Sequence, residues 1–303
     1  MNVIEINNVT KTFGEHTAVD DLTLSVPQGT IYGFIGPNGS GKTTTLRMIM
    51  NILRPDCGDV RVFGEVQEGA CTSRIGYLPE ERGLYKRMKV REVLRFYGGL
   101  KKGAAVDGAV DNWLRRMDLE SWADKKVEAL SKGMAQKVQF ISSVVADPEL
   151  IILDEPFTGL DPVNTDVLRD AVLELQRRGT TVIFSTHDMN TAERMCDFIF
   201  MIFKGKKVLN GTLTSIQDQY GHDTLRIRCK QTPGLFDNLE GVDRITNFGQ
   251  MQELHLKSDA NAQAVAAAVM QRTEVWSFEV ARPSLHDIFV RIAGPEAREV
   301  NHA

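Results

Sequence analysis

Gly36-Pro37-Asn38-Gly39-Ser40-Gly41-Lys42-Thr43-Thr44 is the stretch on which the reading of this chain turns. It has the form of a phosphate-binding loop: a glycine, four residues, then Gly-Lys-Thr. Its flanks agree with that form. Thr30-Ile31-Tyr32-Gly33-Phe34-Ile35 reads as a buried strand, and Thr44 to Leu53 reads as a helix ended by Arg54-Pro55-Asp56, because proline removes an N–H donor. A strand–loop–helix of this kind lets backbone N–H groups converge on phosphate oxygens, and the helix N-terminus adds partial positive charge. Gly36, Asn38, Gly39, Ser40, Gly41 and Thr44 supply the cradle. Lys42 is placed to reach the β- and γ-phosphates, and the Thr43 hydroxyl to ligate Mg²⁺. A plain Gly-rich turn is the competing reading of the same residues.

The chain has 303 residues, enough for two cores. Hydrophobic residues make up 42% and charged residues 25%, as in ordinary globular proteins. A net charge of -4 argues against a general nucleic-acid binder, which needs a basic excess. Cys57, Cys71, Cys196 and Cys229 are far apart and form no metal-ligand spacing, which reads as structural thiols in a reducing compartment, the cytosol. The first residues have no basic-then-apolar leader pattern. The longest apolar run, Phe198 to Phe203, is far short of the roughly 20 residues that cross a bilayer, so no membrane span is expected.

Residues 3–9 and 22–26 alternate as strands, Val60 and Val62 mark another, and from about 88 to 146 the period turns helical. There Val90, Val93, Leu94 and Tyr97 share one face, and Trp113, Leu114 and Met117 another. Leu150 to Leu153 and Thr181 to Phe184 read as buried strands. They flank a helix with Asp161 as N-cap, Pro162 at its first position and Gly179 at its end. Continuous apolar strands alternating with helices imply a parallel sheet covered on both faces. After residue 221 the character changes. Strands at 225–229, 243–247, 253–256 and 275–280, with helices at 234–240 and 260–272, give the order β-α-β-β-α-β of a ferredoxin-like unit. Pro283-Ser284 starts a last helix, Trp276, Phe278 and Phe289 are read as core, and the tail after Gly294 as loose. The expected division is 1–221 and 222–303.

Leu150 to Pro156 is an apolar strand ending in two acids. Asp154 at its tip is where a carboxylate holds the water ligands of Mg²⁺, and Glu155 beyond it polarises an attacking water. A strand followed by an acidic turn is the plain alternative. In Leu130-Ser131-Lys132-Gly133-Met134, Ser131 reads as an N-cap whose hydroxyl and neighbouring N–H groups form a second anion site, although simple capping needs the same residue.

These segments, with Gly159-Leu160-Asp161-Pro162 and Ser185-Thr186-His187, stand in the order found in ATP-binding cassette (ABC) transporter ATPase subunits, which residues 1 to about 220 resemble. The resemblance implies an α/β P-loop NTPase cassette: a mixed sheet with an inserted helical subdomain, followed here by the small C-terminal α+β domain. It implies ATP and Mg²⁺ as cofactors and two copies paired head to tail around two ATP. Each ATP would touch the phosphate loop of one chain and Ser131 and Gly133 of the other. Glu155 would be the catalytic base, His187 would contact the γ-phosphate, Asp161 would bridge the subunits, and Phe13 would stack on adenine. A core phenylalanine is the alternative for Phe13, and a strand-end or N-capping role for His187.

Two departures from the family pattern are informative. Glu80, in Pro79-Glu80-Glu81-Arg82-Gly83, stands where glutamine is usual. It keeps a metal-ligating oxygen but adds negative charge beside the triphosphate. Lys132 and Met134 replace glycine and glutamine in the signature; the lysine adds a cation, and the methionine removes a polar contact. With Pro-Ser-Leu-x-x-Ile-Phe in the tail, these segments resemble subunits of the sodium-extrusion and drug-export type. That implies an integral membrane permease as partner, seated against about 80–97, where Leu84, Tyr85, Met88 and Tyr97 form either an apolar groove or internal packing. It also implies a peripheral place on the cytoplasmic face of the cell membrane and no nucleic-acid partner. The rival readings are a soluble ABC ATPase acting on nucleic acid or ribosomes, and a switch governed by the C-terminal unit.

Overall fold

The computed structural model describes residues 1–66, 73–81, 83–102, 106–220, 224–230, 234–247, 249–257 and 260–294. Cys71, Arg82 and the tail expected to be loose lie outside them. The chain divides into two compact units, Met1–Thr212 and Leu213–Ala303.

In the first unit, β1 (Asn2–Phe13), β2 (His16–Pro27), β4 (Cys57–Val62) and β5 (Glu65–Val66) form an antiparallel sheet in the order β2-β1-β4-β5. The larger sheet contains β3 (Ile31–Ile35), β6 (Ile75–Leu78), β7 (Leu150–Asp154), β8 (Thr181–Thr186), β9 (Phe198–Phe203) and β10 (Lys206–Gly211), in the order β10-β9-β3-β8-β7-β6. Only the edge strand β10 runs antiparallel. Every residue of β3, β7 and β8 is buried, which explains their unbroken apolar runs. One face packs on α1 (Lys42–Ile49) and the antiparallel sheet through Phe34, Leu46, Ile49 and Ile6. The other packs on α2 (Val90–Lys102), α3 (Asp107–Arg116), α4 (Lys132–Val144) and α5 (Pro162–Arg177), where Val93, Leu94, Trp113, Phe140 and Leu168 meet Leu153 and Phe184. A short α6 (Met189–Met195) precedes β9.

Two helix ends show why boundaries fall where they do. α5 is capped by the Asp161 carboxylate, which accepts from Asn164 N–H at 3.0 Å, and closed by Gly179 at φ +96. α1 stops at Ile49, several residues before the proline expected to end it. Asn51 adopts φ +53, and the Ile52 and Asn51 amides bond back to the Arg47 and Met48 carbonyls. The left-handed asparagine closes the turn before the proline is reached.

In the second unit, α7 (Leu213–Tyr220) is followed by β11 (Thr224–Cys229), β12 (Val242–Asn247), β13 (Gln252–Leu256), α8 (Ala262–Arg272), β14 (Val275–Ala281) and α9 (Leu285–Ala293). The all-antiparallel order β12-β13-β11-β14 is that of a ferredoxin-like sheet. The helix expected at 234–240 is a run of turns, because Gly234 at φ +74 and Asn238 at φ +53 leave no helical stretch between them. Trp276 and Phe278 are not core: they are 61% and 46% exposed on the edge strand β14, while Phe289 is buried as expected. A capping box between Ser284 and Asp287 starts α9. No helix is long and apolar enough to cross a membrane among the described residues.

Candidate functional site

The loop between β3 and α1 is fixed by two glycines with no room for a side chain. A Cβ on Gly36 would stand 2.2 Å from the Ile202 carbonyl oxygen, and one on Gly41, at φ +108, 2.4 Å from that of Ala18. The first N–H groups of α1 have no carbonyl within the helix to bond, so the loop presents donors to its concave side. The Lys42 ammonium is folded onto the loop, donating to the Gly36 and Pro37 carbonyls at 2.7 and 3.0 Å. Burial pulls its pKa down, and the Glu155, Asp154 and Glu80 carboxylates push it back up.

β7 and β8 deliver the acids. Asp154 Oδ1 accepts from the Ser185 hydroxyl at 2.5 Å and from Thr43 Oγ1 at 3.4 Å, while Oδ2 is buried and bare. Ser40 Oγ is the second bare buried oxygen here. These residues fit magnesium: a hydroxyl and a carboxylate with an unspent buried oxygen are the hard donors it takes. Among the described residues no cluster of three His, Cys, Asp or Glu side chains could hold a metal unaided. Glu155 adopts φ +49, its N–H bonds to Ser185 Oγ at 3.0 Å, and its carboxylate meets Thr158 Oγ1 at 3.0 Å and His187 Nδ1 at 3.1 Å.

A cavity of about 370 Å³ lies over the loop. Asn38 to Thr44 form its floor, Phe13, His16 and Ala18 one wall, and Glu80 and Glu155 the other. Phe13 is 48% exposed, with the Lys11 ammonium 5.6 Å from its ring centre, so it is not a core residue. Gln139 of α4 donates to the Pro79 and Glu81 carbonyls at 3.4 and 3.1 Å and so holds Glu80 at the cavity. His187 reaches Glu155 but does not line the cavity.

Ser131, Gly133 and Asp161 do not line it either. They gather at the starts of α4 and α5. Ser131 Oγ accepts from Met134 N–H at 3.3 Å, and a Cβ on Gly133 would stand 2.9 Å from Asn164 Nδ2. Met134 packs against the helical core, which accounts for an apolar residue there. His16, Ser185 and Thr158 are the residues that sequence reasoning left without a role. Ser185 stood in a quoted motif beside His187, whereas His16 carries no pattern that would single it out.

A phosphate loop facing a strand that ends in two acids defines a nucleotide-triphosphatase cassette. The family described as ABC transporter matches residues 19–158, and that described as ATP-binding protein DrrA1-3-like, C-terminal domain, matches residues 211–293. The uncharacterized ABC transporter ATP-binding protein YhaQ of Bacillus subtilis strain 168 is 39% identical, over 96% of this chain and 99% of that one. Nod factor export ATP-binding protein I of Paraburkholderia xenovorans is 34% identical over 98% of each. A solved structure of an ATP-binding subunit of an ABC transporter superposes with a TM-score of 0.66 at 29% identity, covering 72% of this chain and 93% of that one. The chain belongs to the ABC transporter ATP-binding subunits, ATPases whose hydrolysis is coupled to transport and which work with membrane permeases.

Proposed function

We propose that this chain hydrolyses ATP as one of two identical cassettes driving an export permease from the cytoplasmic face of the cell membrane. The observation that carries the reading is the acid pair at the end of β7. Asp154 keeps a bare buried oxygen beside the Thr43 hydroxyl, and Glu155 is held on both carboxylate oxygens at the cavity wall. Lys42 exchanges its two carbonyl acceptors for β- and γ-phosphate oxygens, and the amides from Asn38 to Thr44 take the remaining charge. Mg²⁺, held by Thr43, Asp154 and Glu80, would supply charge neutralisation at the phosphates. Glu155 orients water and accepts its proton. His187, bonded to Glu155, lies on the γ-phosphate side, and Phe13 offers an exposed π face to adenine. Ser131 and Gly133 cap the γ-phosphate of the second copy, and Asp161 bridges the pair.

Export rests on the likeness to the Nod factor export protein along nearly the whole chain. For permease docking, the groove drawn from sequence divides. Leu84, Met88 and Tyr97 pack partly into the core, whereas Tyr85 and Phe96 are 52% and 42% exposed with rings 5.6 Å apart. That exposed pair supports a small apolar contact for a permease helix. The test is ATP turnover with membranes carrying the permease that co-purifies with the chain, against turnover with DNA or ribosomes. Stimulation by membranes is expected; stimulation by DNA or ribosomes alone overturns the reading.

A further inference from the structure

Glu155 is held at its backbone by β8 and at its carboxylate by two unequal partners. Oε1 meets the imidazole of His187, whose side chain is 52% exposed. Oε2 accepts the Thr158 hydroxyl at 3.0 Å. Thr158 is exposed as well, but it is tied into the same turn as Glu155. Its own N–H returns to the Glu155 carbonyl at 3.3 Å, closing a turn, and its branched Cβ restricts χ1. Glu155 at the same time adopts φ +49, a conformation that is costly for a non-glycine residue and is kept only where the surroundings enforce it. The Ser185 hydroxyl enforces the main chain by accepting the Glu155 N–H. Nothing on β8 reaches Oε2.

We infer that Thr158 is a positioning residue for Glu155: its hydroxyl holds Oε2 and so selects the carboxylate rotamer that keeps Oε1 toward His187 and the reacting water. The inference rests on Glu155 being the base. An ionised carboxylate only accepts, so a donor on one oxygen removes one of two equivalent ways for the group to rotate and biases the other oxygen toward the reacting water. The same turn runs on to Gly159, where a Cβ would come within 2.5 Å of the Lys132 ammonium. The turn that sets the base is therefore in touch with the signature helix of its own chain.

The test compares Thr158→Val, Thr158→Ser, Glu155→Gln and the double variant in the full chain, by steady-state ATP turnover and thermal unfolding. Valine keeps the branched shape and loses the hydroxyl. We expect Thr158→Val to lower kcat about tenfold with KM for ATP within about twofold, Thr158→Ser to restore kcat, and the double variant to be no slower than Glu155→Gln. If Thr158→Val unfolds, Thr158→Ala gives the same comparison. A wild-type kcat in Thr158→Val beside an inactive Glu155→Gln overturns the role of Thr158. So does a Thr158→Ser as slow as Thr158→Val, or a loss that appears wholly in KM. A Glu155→Gln that turns over normally overturns instead the assignment of Glu155 as base.

Discussion

Ser185→Ala isolates two hydrogen bonds with almost no change of shape. Ser185 is fully buried in β8, donates to Asp154 Oδ1 at 2.5 Å and accepts the Glu155 N–H at 3.0 Å. Alanine leaves the strand and its packing intact. A hydrogen bond to an ionised carboxylate contributes about 1.5–3 kcal/mol, and an orphaned buried N–H costs about 1–3 kcal/mol. The two losses share one hydroxyl, whose own desolvation is no longer needed, so they do not sum in full. The net expectation is a destabilisation of about 2–4 kcal/mol. In a unit of this size each kcal/mol moves Tm by about 2–4 °C, so the cassette transition should fall by about 4–16 °C. Calorimetry of the nucleotide-free protein reads this without involving catalysis. Binding adds a second readout. Asp154 keeps only the longer contact to Thr43, so affinity for ATP should drop with magnesium present and stay unchanged in EDTA. A transition within about one degree of wild type would refute the reasoning, because neither bond could then be worth its expected minimum.

Glu155→Gln should leave ATP binding intact, slow hydrolysis by about 10²–10⁴-fold and trap a nucleotide-bound dimer visible by size exclusion; turnover near wild type would remove Glu155 as base. Lys42→Ala should weaken nucleotide binding itself, measured by calorimetric titration. Gly41→Ala should do the same through the backbone, since its Cβ would fall 2.4 Å from the Ala18 carbonyl oxygen. The second unit should lose stability in acid. Burial first, and Arg244 second, hold the His255 imidazole below its ordinary 6.5, against the opposing pull of Asp287 and Glu253. The unfolded chain therefore binds a proton that the folded unit does not. Stability is full above about pH 6.5 and declines as pH falls through it, until the folded imidazole also protonates. His255→Asn should flatten that decline in pH-dependent unfolding curves.

What was legible in the sequence is what local chemistry dictates. The phosphate loop is a backbone device, and its glycines are required by φ and by carbonyls that come within 2.4 Å, so the motif alone announces it. β3, β7 and β8 are buried on both faces, and their unbroken apolar runs say so. The β14 error has the opposite origin. Alternation separates the two faces of a strand but does not tell which face is covered. Trp276 and Phe278 lie on a strand that ends the sheet, and strand order is not written in any one segment. The helix expected at 234–240 failed for a related reason: its apolar residues, Leu235 and Leu239, are buried as a helix would bury them, but within turns that Gly234 and Asn238 impose.

The hydroxyls around the acids mark a second boundary on what can be read. Ser185 stands inside a motif that resemblance picked out and Thr158 in the gap between two others, yet neither had a role until the fold gave each a partner. Ser185 lies 31 residues from Asp154 along the chain and meets it because β7 and β8 lie side by side, whereas Thr158 is only 3 from Glu155 and reaches it through a local turn. A serine can donate and accept at once, and only the parallel pairing of Asp154 with Ser185 makes both uses simultaneous. The chemistry-bearing carboxylates could therefore be named from sequence, because a charge at a strand end has few other uses. The neutral groups that aim them could not, because a hydroxyl has many. Residues that hold a site in place become visible only when the donors and acceptors of the folded chain are accounted for one by one.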